Sequence, residues 1–467
     1  MIIEQLYTKC LSQGAYYIES NGEAAVIDPL RDIEEYLNLA AGHQARILYV
    51  FETHFHADFV SGHLDLAAKT NATIVYGPGA EPKFPALVAR DNDEFTVGEL
   101  TVTVLHTPGH TLESCCYLLK DNSGKPIALF TGDTLFIGDV GRPDVAQVAT
   151  GLSKETLAGM LYDSIKQKIL PLPGDITIYP AHGAGSACGK NMCAETTDTL
   201  DHQRLTNYAL RKGITKEEFV HEVISGLASP PAYFSSDATL NKTGYEHIDV
   251  VISRGMKPLS VEDCKEAVQK TNALIIDTRC PEEFCKAFIP GSVNIGLDGQ
   301  FAPWAGTLFP DIKQPVILVA DRNRAKEAII RLARIGHDNV IGYLDKGFTA
   351  WYHSSNPIDW IFTISTERLA QDLAGATRNF IDVRDVSDYQ RNHLPGAKNL
   401  PLAQLTDLAQ QFDPKQMYYV YCTSGYRSVI FISYLKAKGF NRLVNVTGGM
   451  NAISRTANIK LETSIPG

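Results

Sequence analysis

Thr53–Gly62 reads THFHADFVSG. It follows Arg46–Phe51 (RILYVF), a short apolar run with the length and branching of a buried strand. Ser61 to Ala68 reads as a helix with Ser61 as its cap. His54, His56 and Asp58 therefore fall at i, i+2 and i+4 on a turn at the carboxyl end of a strand, where open α/β sheets place their ligand sites. Two imidazoles and a carboxylate crowded into five residues waste desolvation energy unless a cation collects them, so the pattern points to a metal. An isolated HxHxD also occurs as a solvated polar loop, and the rest of the chain separates the two readings.

The same arrangement recurs downstream. Ala15–Glu19 and Ala24–Ile27 read as strands joined by an Asn21-Gly22 hairpin turn, followed by a helix over Asp32–Ala41. Thr73–Tyr76 is a strand, and Glu94–His106 is a hairpin that delivers His110 through the Pro108-Gly109 loop. Ile127–Phe130 runs into Thr131-Gly132-Asp133, a helix is predicted from Lys154 to about Leu170, and Ile176–Tyr179 runs into Pro180-Ala181-His182. Four strand ends thus carry His54/His56/Asp58, His110, Asp133 and His182, which is the pattern of a site.

At 467 residues the chain has material for about three domains. A net charge of −10 argues against nucleic acid as a partner. No apolar run has the length of a membrane span, and the opening MIIEQLYTKC lacks the pattern of a secretory leader. The nine cysteines are scattered and odd in number, which fits a reducing cytoplasm rather than a disulfide framework. Cys115 and Cys116 read as small core hydrophobes.

These motifs and their order resemble the metallo-β-lactamase superfamily over about residues 1–245. The resemblance implies an αβ/βα sandwich with the metal at one edge of the sheets. Most hydrolases of that fold carry HxHxDH and bind two metal ions, whereas this chain has Phe59 at the sixth position. A phenyl ring cannot coordinate, so a single metal is expected. Among mononuclear members, the persulfide dioxygenases imply Fe(II) ligands at His54, His110 and Asp133, a donor set with open positions for O₂ and a substrate sulfur. His56, Asp58 and His182 are then expected to orient ligands and water, the alternative being that they bind a second metal. The GDVGRPD loop resembles the same enzymes and makes Arg142 a candidate for pairing with a substrate anion, or else a structural partner of Asp139 or Asp144. Cys188, six residues past His182, is expected on the pocket rim, as a persulfide carrier or a bystander.

Ser225–Tyr245, rich in Gly, Pro and Ser, reads as an irregular wrap. After it the chain repeats. Leu274–Ile295 and Asn379–Leu400 match with Asp277 against Asp382, Arg279 against Arg384, and Asn294 against Asn399, each offset by 105 positions. The pattern resembles the rhodanese fold, a parallel α/β sheet, over about residues 246–467. The expected organisation is a multidomain α/β chain with domains at 1–245, 246–360 and 361–467. In the second copy Tyr418–Tyr421 runs into Cys422, Thr423, Ser424, Gly425, Tyr426, Arg427 and Ser428, then a helix. A thiol in a loop of backbone N–H groups at a helix N-terminus has a lowered pKa and holds an anion. The C-x4-R spacing is that of rhodaneses rather than of the related C-x5-R phosphatases. Asp321 stands at the equivalent position of the first copy, which is expected to be catalytically silent.

Together the three domains resemble bacterial fusions of a persulfide dioxygenase with a sulfurtransferase. The implied reaction takes a low-molecular-weight thiol persulfide and O₂ to sulfite at a mononuclear Fe(II). It then uses Cys422 and Arg427 to place sulfane sulfur on sulfite as thiosulfate, in sulfide and persulfide detoxification. A homo-oligomer is expected, with no nucleic-acid or membrane partner. Two alternatives are a zinc thioesterase of the glyoxalase II kind joined to a sulfurtransferase, and a sulfur carrier or sensor with a vestigial metal site.

Overall fold

Alternation along Gln13–Ser20 lays down the first layers. Tyr16 and Ile18 enter one core, with Phe51, Val75, Val102, Val104, Tyr117 and Phe130. Ala15 and Tyr17 enter another, with Ile33, Tyr36, Val50 and Leu66. The period of two sends successive side chains to opposite faces, so each sheet has two buried faces. The computed structural model describes residues 1–227, 229–373, 378–408 and 412–464. It divides into two compact units, Met1–Asp249 with Ala333–Gly336, and Val250–Leu332 with His337–Gly467.

The first unit holds two six-stranded sheets, each with its strands in chain order. The core shared by the two sheets is apolar and rich in aromatic rings, and helices cover both outer faces. This is the αβ/βα sandwich expected. Cys115 lies in the central core and its neighbour Cys116 in the outer one, small apolar side chains as read. The hairpins come out at Gln13–Ser20 with Glu23–Ile27 and at Glu94–Val97 with Leu100–His106. The predicted long helix is α over Lys154–Ser164 and continues as a π turn over Ile165–Ile169.

Two local expectations are corrected. The helix after the histidine turn is His63–Thr70, with Gly62 at its N-cap and no side-chain cap. The Ser61 hydroxyl is engaged elsewhere, 2.5 Å from Glu52 Oε1 and 2.9 Å from Pro29 O. Ser225–Tyr245 is not wholly irregular, because it contains the helix Phe234–Thr243. From that helix the buried Asn241 side chain donates to the carbonyls of His56 and Phe59, both at 2.7 Å, and accepts from Ser61 N–H at 2.9 Å.

The second unit carries two five-stranded sheets, made by the repeated sequences. With each copy's strands numbered 1 to 5 in chain order, both have the spatial order 1-5-4-2-3, all parallel. The matched residues of the repeat are structural. Arg279 forks onto Asp277 at 3.0 and 2.7 Å, and Arg384 onto Asp382 at the same distances. Asn294 and Asn399 each donate to the two carbonyls of their own Asp-x-Arg turn.

Replacing Asn241 with Ala strands three buried backbone groups around the histidine turn. The first unit should lose about 1–3 kcal/mol of stability, read as a lowered denaturant midpoint. A midpoint equal to wild type would show that the turn does not need this tether.

Candidate functional sites

The strand ends named from the sequence converge. His54, His110 and Asp133 offer one ligand atom each, all within 4.8 Å of one another and all buried. Their tautomers follow from their neighbours. Thr53 Oγ1 donates to Asp28 Oδ2 at 2.8 Å, so it accepts from His54 Nδ1–H at 2.9 Å, and the His54 Nε2 lone pair is left for the site. His110 Nδ1 donates to the Arg142 carbonyl at 2.8 Å, leaving its Nε2 3.4 Å from Asp133 Oδ2. Burial and the neighbouring imidazoles hold His54 well below the usual histidine range, so it is neutral and able to coordinate.

Asp133 lies at the centre of these groups. Both of its carboxylate oxygens are buried without a hydrogen-bond donor. A buried carboxylate without donors is costly unless a cation joins it, and the two imidazoles beside it, each with Nδ1 committed to another oxygen, complete a metal-binding set. The residues fit a bound metal ion. Gly132 (φ +50°) makes the close passage possible, since a Cβ there would lie 2.6 Å from the Thr53 side chain. A Cβ on Gly141 would lie 1.9 Å from the Asp133 carbonyl and 3.2 Å from His110 Nδ1.

The other expected residues fall into separate groups. His56 turns away from the three ligands, with Nε2 3.0 Å from Asp28 Oδ1 and 3.5 Å from Glu52 Oε2. Burial opposes its protonation, but Asp28, Glu52 and Asp58 outweigh that and raise its pKa to about 9, so it is an imidazolium at neutral pH. Phe59 is fully buried and stacks on the His56 ring at 4.3 Å. Asp58, His182 and Cys188 form a further buried triplet within 4.8 Å, in which His182 Nε2 is 3.2 Å from Asp58 and 3.5 Å from Asp133. Cys188 is buried rather than on a rim, and burial together with Asp58 and Asp133 pushes its thiol pKa well up. The fork expected from Arg142 to a substrate anion is made to Asp144 instead, at 2.7 and 2.8 Å, while its Nη1 donates to the Ala187 carbonyl. Its backbone carbonyl, which the sequence reading did not consider, orients His110. Thr53, Asp28 and Glu52 were also missed. Asp28 directly follows the strand Glu23–Ile27, so the strand-end rule that found the ligands could have found it.

In the second unit Cys422 directly follows the strand Tyr418–Tyr421, and the helix Tyr426–Ala437 begins after Gly425 (φ 111°). Gly425 N–H donates to Cys422 Sγ at 3.1 Å, and Ser428 Oγ lies 3.7 Å from it. Arg427 braces the loop from outside, donating to Thr423 Oγ1 at 2.9 Å and to Asp385 at 3.1 Å. Tyr426 leaves the loop and donates to the Gly296 carbonyl of the first copy at 2.7 Å. In that first copy the helix Arg322–Ala333 starts directly after Asp321, whose carbonyl accepts from Arg324 and Ala325 N–H, and no thiol is present there.

Thr53→Val keeps the shape but removes the acceptor that orients His54. Metal affinity should fall about 10–100-fold in a chelator competition. An unchanged affinity would mean that His54 is oriented by other contacts.

Residues 9–182 match the metallo-beta-lactamase superfamily, and residues 260–354 and 365–456 each match the rhodanese-like domain. The chain is 32% identical to the human mitochondrial persulfide dioxygenase over 42% of its own length and 70% of that protein. It is equally, 32%, identical to the cytoplasmic hydroxyacylglutathione hydrolase of Arabidopsis thaliana, over 38% of this chain and 66% of the plant protein, just under two thirds. A metallo-beta-lactamase crystal structure from Staphylococcus aureus is 34% identical and covers 73% of this chain and 98% of that one, with a TM-score of 0.65. The chain belongs to the metallo-β-lactamase superfamily, with two rhodanese-like domains in tandem after the sandwich.

Proposed function

We propose that the chain oxidises low-molecular-weight thiol persulfides with O₂ at a single Fe(II), giving sulfite, and passes sulfane sulfur through Cys422 to sulfite, giving thiosulfate. The observation that carries this reading is Phe59. Where the two-metal hydrolases have a ligating imidazole, this chain has a buried phenyl ring stacked on His56. His56 is in turn committed to Asp28 and Glu52. Among the buried clusters of the described residues, His54, His110 and Asp133 are the one that joins two imidazoles to a carboxylate, a set that supplies, when iron is bound, open positions where O₂ and a sulfur ligand meet.

The overall step is RSSH + O₂ + H₂O → RSH + SO₃²⁻ + 2 H⁺. The terminal sulfur loses four electrons, and O₂ gains them. The chain's own groups hold the ligands, and the buried Phe59 and Phe136 pack against His56 and His182. Asp58 and His182, 3.2 Å apart beside Asp133, stand where released protons would be taken up. Burial holds the Asp58 pKa above the usual carboxylate range, which suits a proton acceptor. At the second site the Cys422 thiolate, steadied by Gly425 N–H, takes the terminal sulfur of RSSH and releases RS⁻. Sulfite then attacks the outer sulfur of Cys422–S–SH. The bond between Sγ and the outer sulfur breaks, thiosulfate leaves with the proton, and the thiolate returns. The first site's product is the second site's acceptor.

One observation favours a second reading. The Asp58, His182 and Cys188 triplet beside Asp133 would suit a second metal and a zinc thioesterase.

The test is O₂ uptake by the iron-loaded full chain with several thiol persulfides, with sulfite and thiosulfate quantified. Cys422→Ser should keep O₂ uptake while sulfite replaces thiosulfate. Loss of O₂ uptake in that variant would refute the two-site division, and thioester hydrolysis by a zinc-loaded chain that consumes no O₂ would refute the oxygenase.

A further inference from the structure

Cys422 is only 1% exposed, so a donor must reach it with its terminal sulfur while its carbon body stays outside the loop. A cleft of about 480 Å³ opens against that loop. Ser424, Gly425 and Gly448 form its wall on the loop side, and Cys285, Trp360 and Phe362 line it as well. Much of this cleft beside the Cys422 loop is thus built by the silent copy and the segment that joins the two copies.

That segment is held straight. Asp359 and Phe288 exchange two backbone hydrogen bonds, at 2.8 and 3.0 Å, and Ile361 N–H donates to the Cys285 carbonyl at 3.0 Å. Phe362–Ile364 then joins the second copy's sheet, parallel to Leu443–Val446. An extended segment alternates its side chains. Ile361 is buried at 4% exposure, while Trp360 and Phe362 are 50% and 63% exposed, with ring centroids 6.3 Å apart. Paired exposed aromatics on a pinned backbone at a cleft mouth mark a binding surface. The cleft offers a doubly charged inorganic donor no cluster of cations: Glu282 and Lys286 both line it, Lys286 pairs with Glu283, and Arg427 pairs with Asp385.

We infer that Trp360 and Phe362 are the platform for the carbon body of an organic persulfide donating to Cys422, so that the segment joining the two copies sets the donor class. This rests on the reading of Cys422 as a sulfur carrier. In the step served, the Cys422 thiolate bonds to the terminal sulfur of RS–SH, the RS–S bond breaks, the electron pair leaves as RS⁻, and the proton stays on the transferred sulfur.

The experiment uses the full chain with benzyl persulfide or thiosulfate as donor and cyanide as acceptor, and reads thiocyanate. Trp360→Ala/Phe362→Ala should raise the ratio of the KM for benzyl persulfide to that for thiosulfate about 10-fold, and Trp360→Phe should restore much of it. An unchanged ratio, whether both constants hold or both rise together, overturns the platform. A folded wild type that forms thiocyanate from neither donor overturns the sulfur-transfer reading itself.

Discussion

The Asp133 carboxylate, buried and without a donor on either oxygen, is the constraint on which the first unit depends. Leaving such a charge uncompensated costs about 3–5 kcal/mol, a large part of a domain's net stability. The fold tolerates it because the groups around it are arranged for a cation. Thr53 turns the His54 lone pair inward, the Arg142 carbonyl turns the His110 lone pair inward, and Gly132 and Gly141 let the loops approach where side chains would collide. Asp28 anchors two of these parts at once, receiving Thr53 N–H and Oγ1–H and facing the His56 imidazolium. The strand ends that carry His54 and His110 are therefore positioned by polar contacts as well as by sheet packing.

Much of this was legible in the sequence because strand ends announce themselves. Short β-branched runs that stop at His, Asp or Gly located His54, His110, Asp133 and His182, and the structure brings all four together. The roles within the cluster were less legible, because they depend on residues remote in the chain. Nothing local to Arg142 says that its guanidinium meets Asp144 while its carbonyl serves His110. Asn241 was hidden for a different reason. The surrounding Gly, Pro and Ser suggested irregular chain, while the ten-residue helix that carries Asn241 has only a weak apolar stripe of its own and gains its stability from packing.

The second unit shows the same scaffold kept and the chemistry changed. Both copies retain the Asp–Arg fork and the asparagine that closes the turn after the second strand, with nearly identical geometry. They differ after the fourth strand. One copy wraps Thr423–Gly425 around a thiol before its helix begins, and the other starts its helix immediately after Asp321. A repeat is readable from the shared residues, and its function from the few that are not shared. Tyr426, read as part of the sulfur loop, instead reaches the Gly296 carbonyl, so the silent copy is packed against the active one near its working loop.

We propose that one metal ion sits among His54, His110 and Asp133, and that Phe59 stands where a ligand of a second would be. Anaerobic reconstitution of the full chain with excess Fe(II), removal of loosely bound metal and elemental analysis test it directly. The account predicts one iron per chain, lost in Asp133→Ala. Two tightly bound metal ions per chain would contradict it.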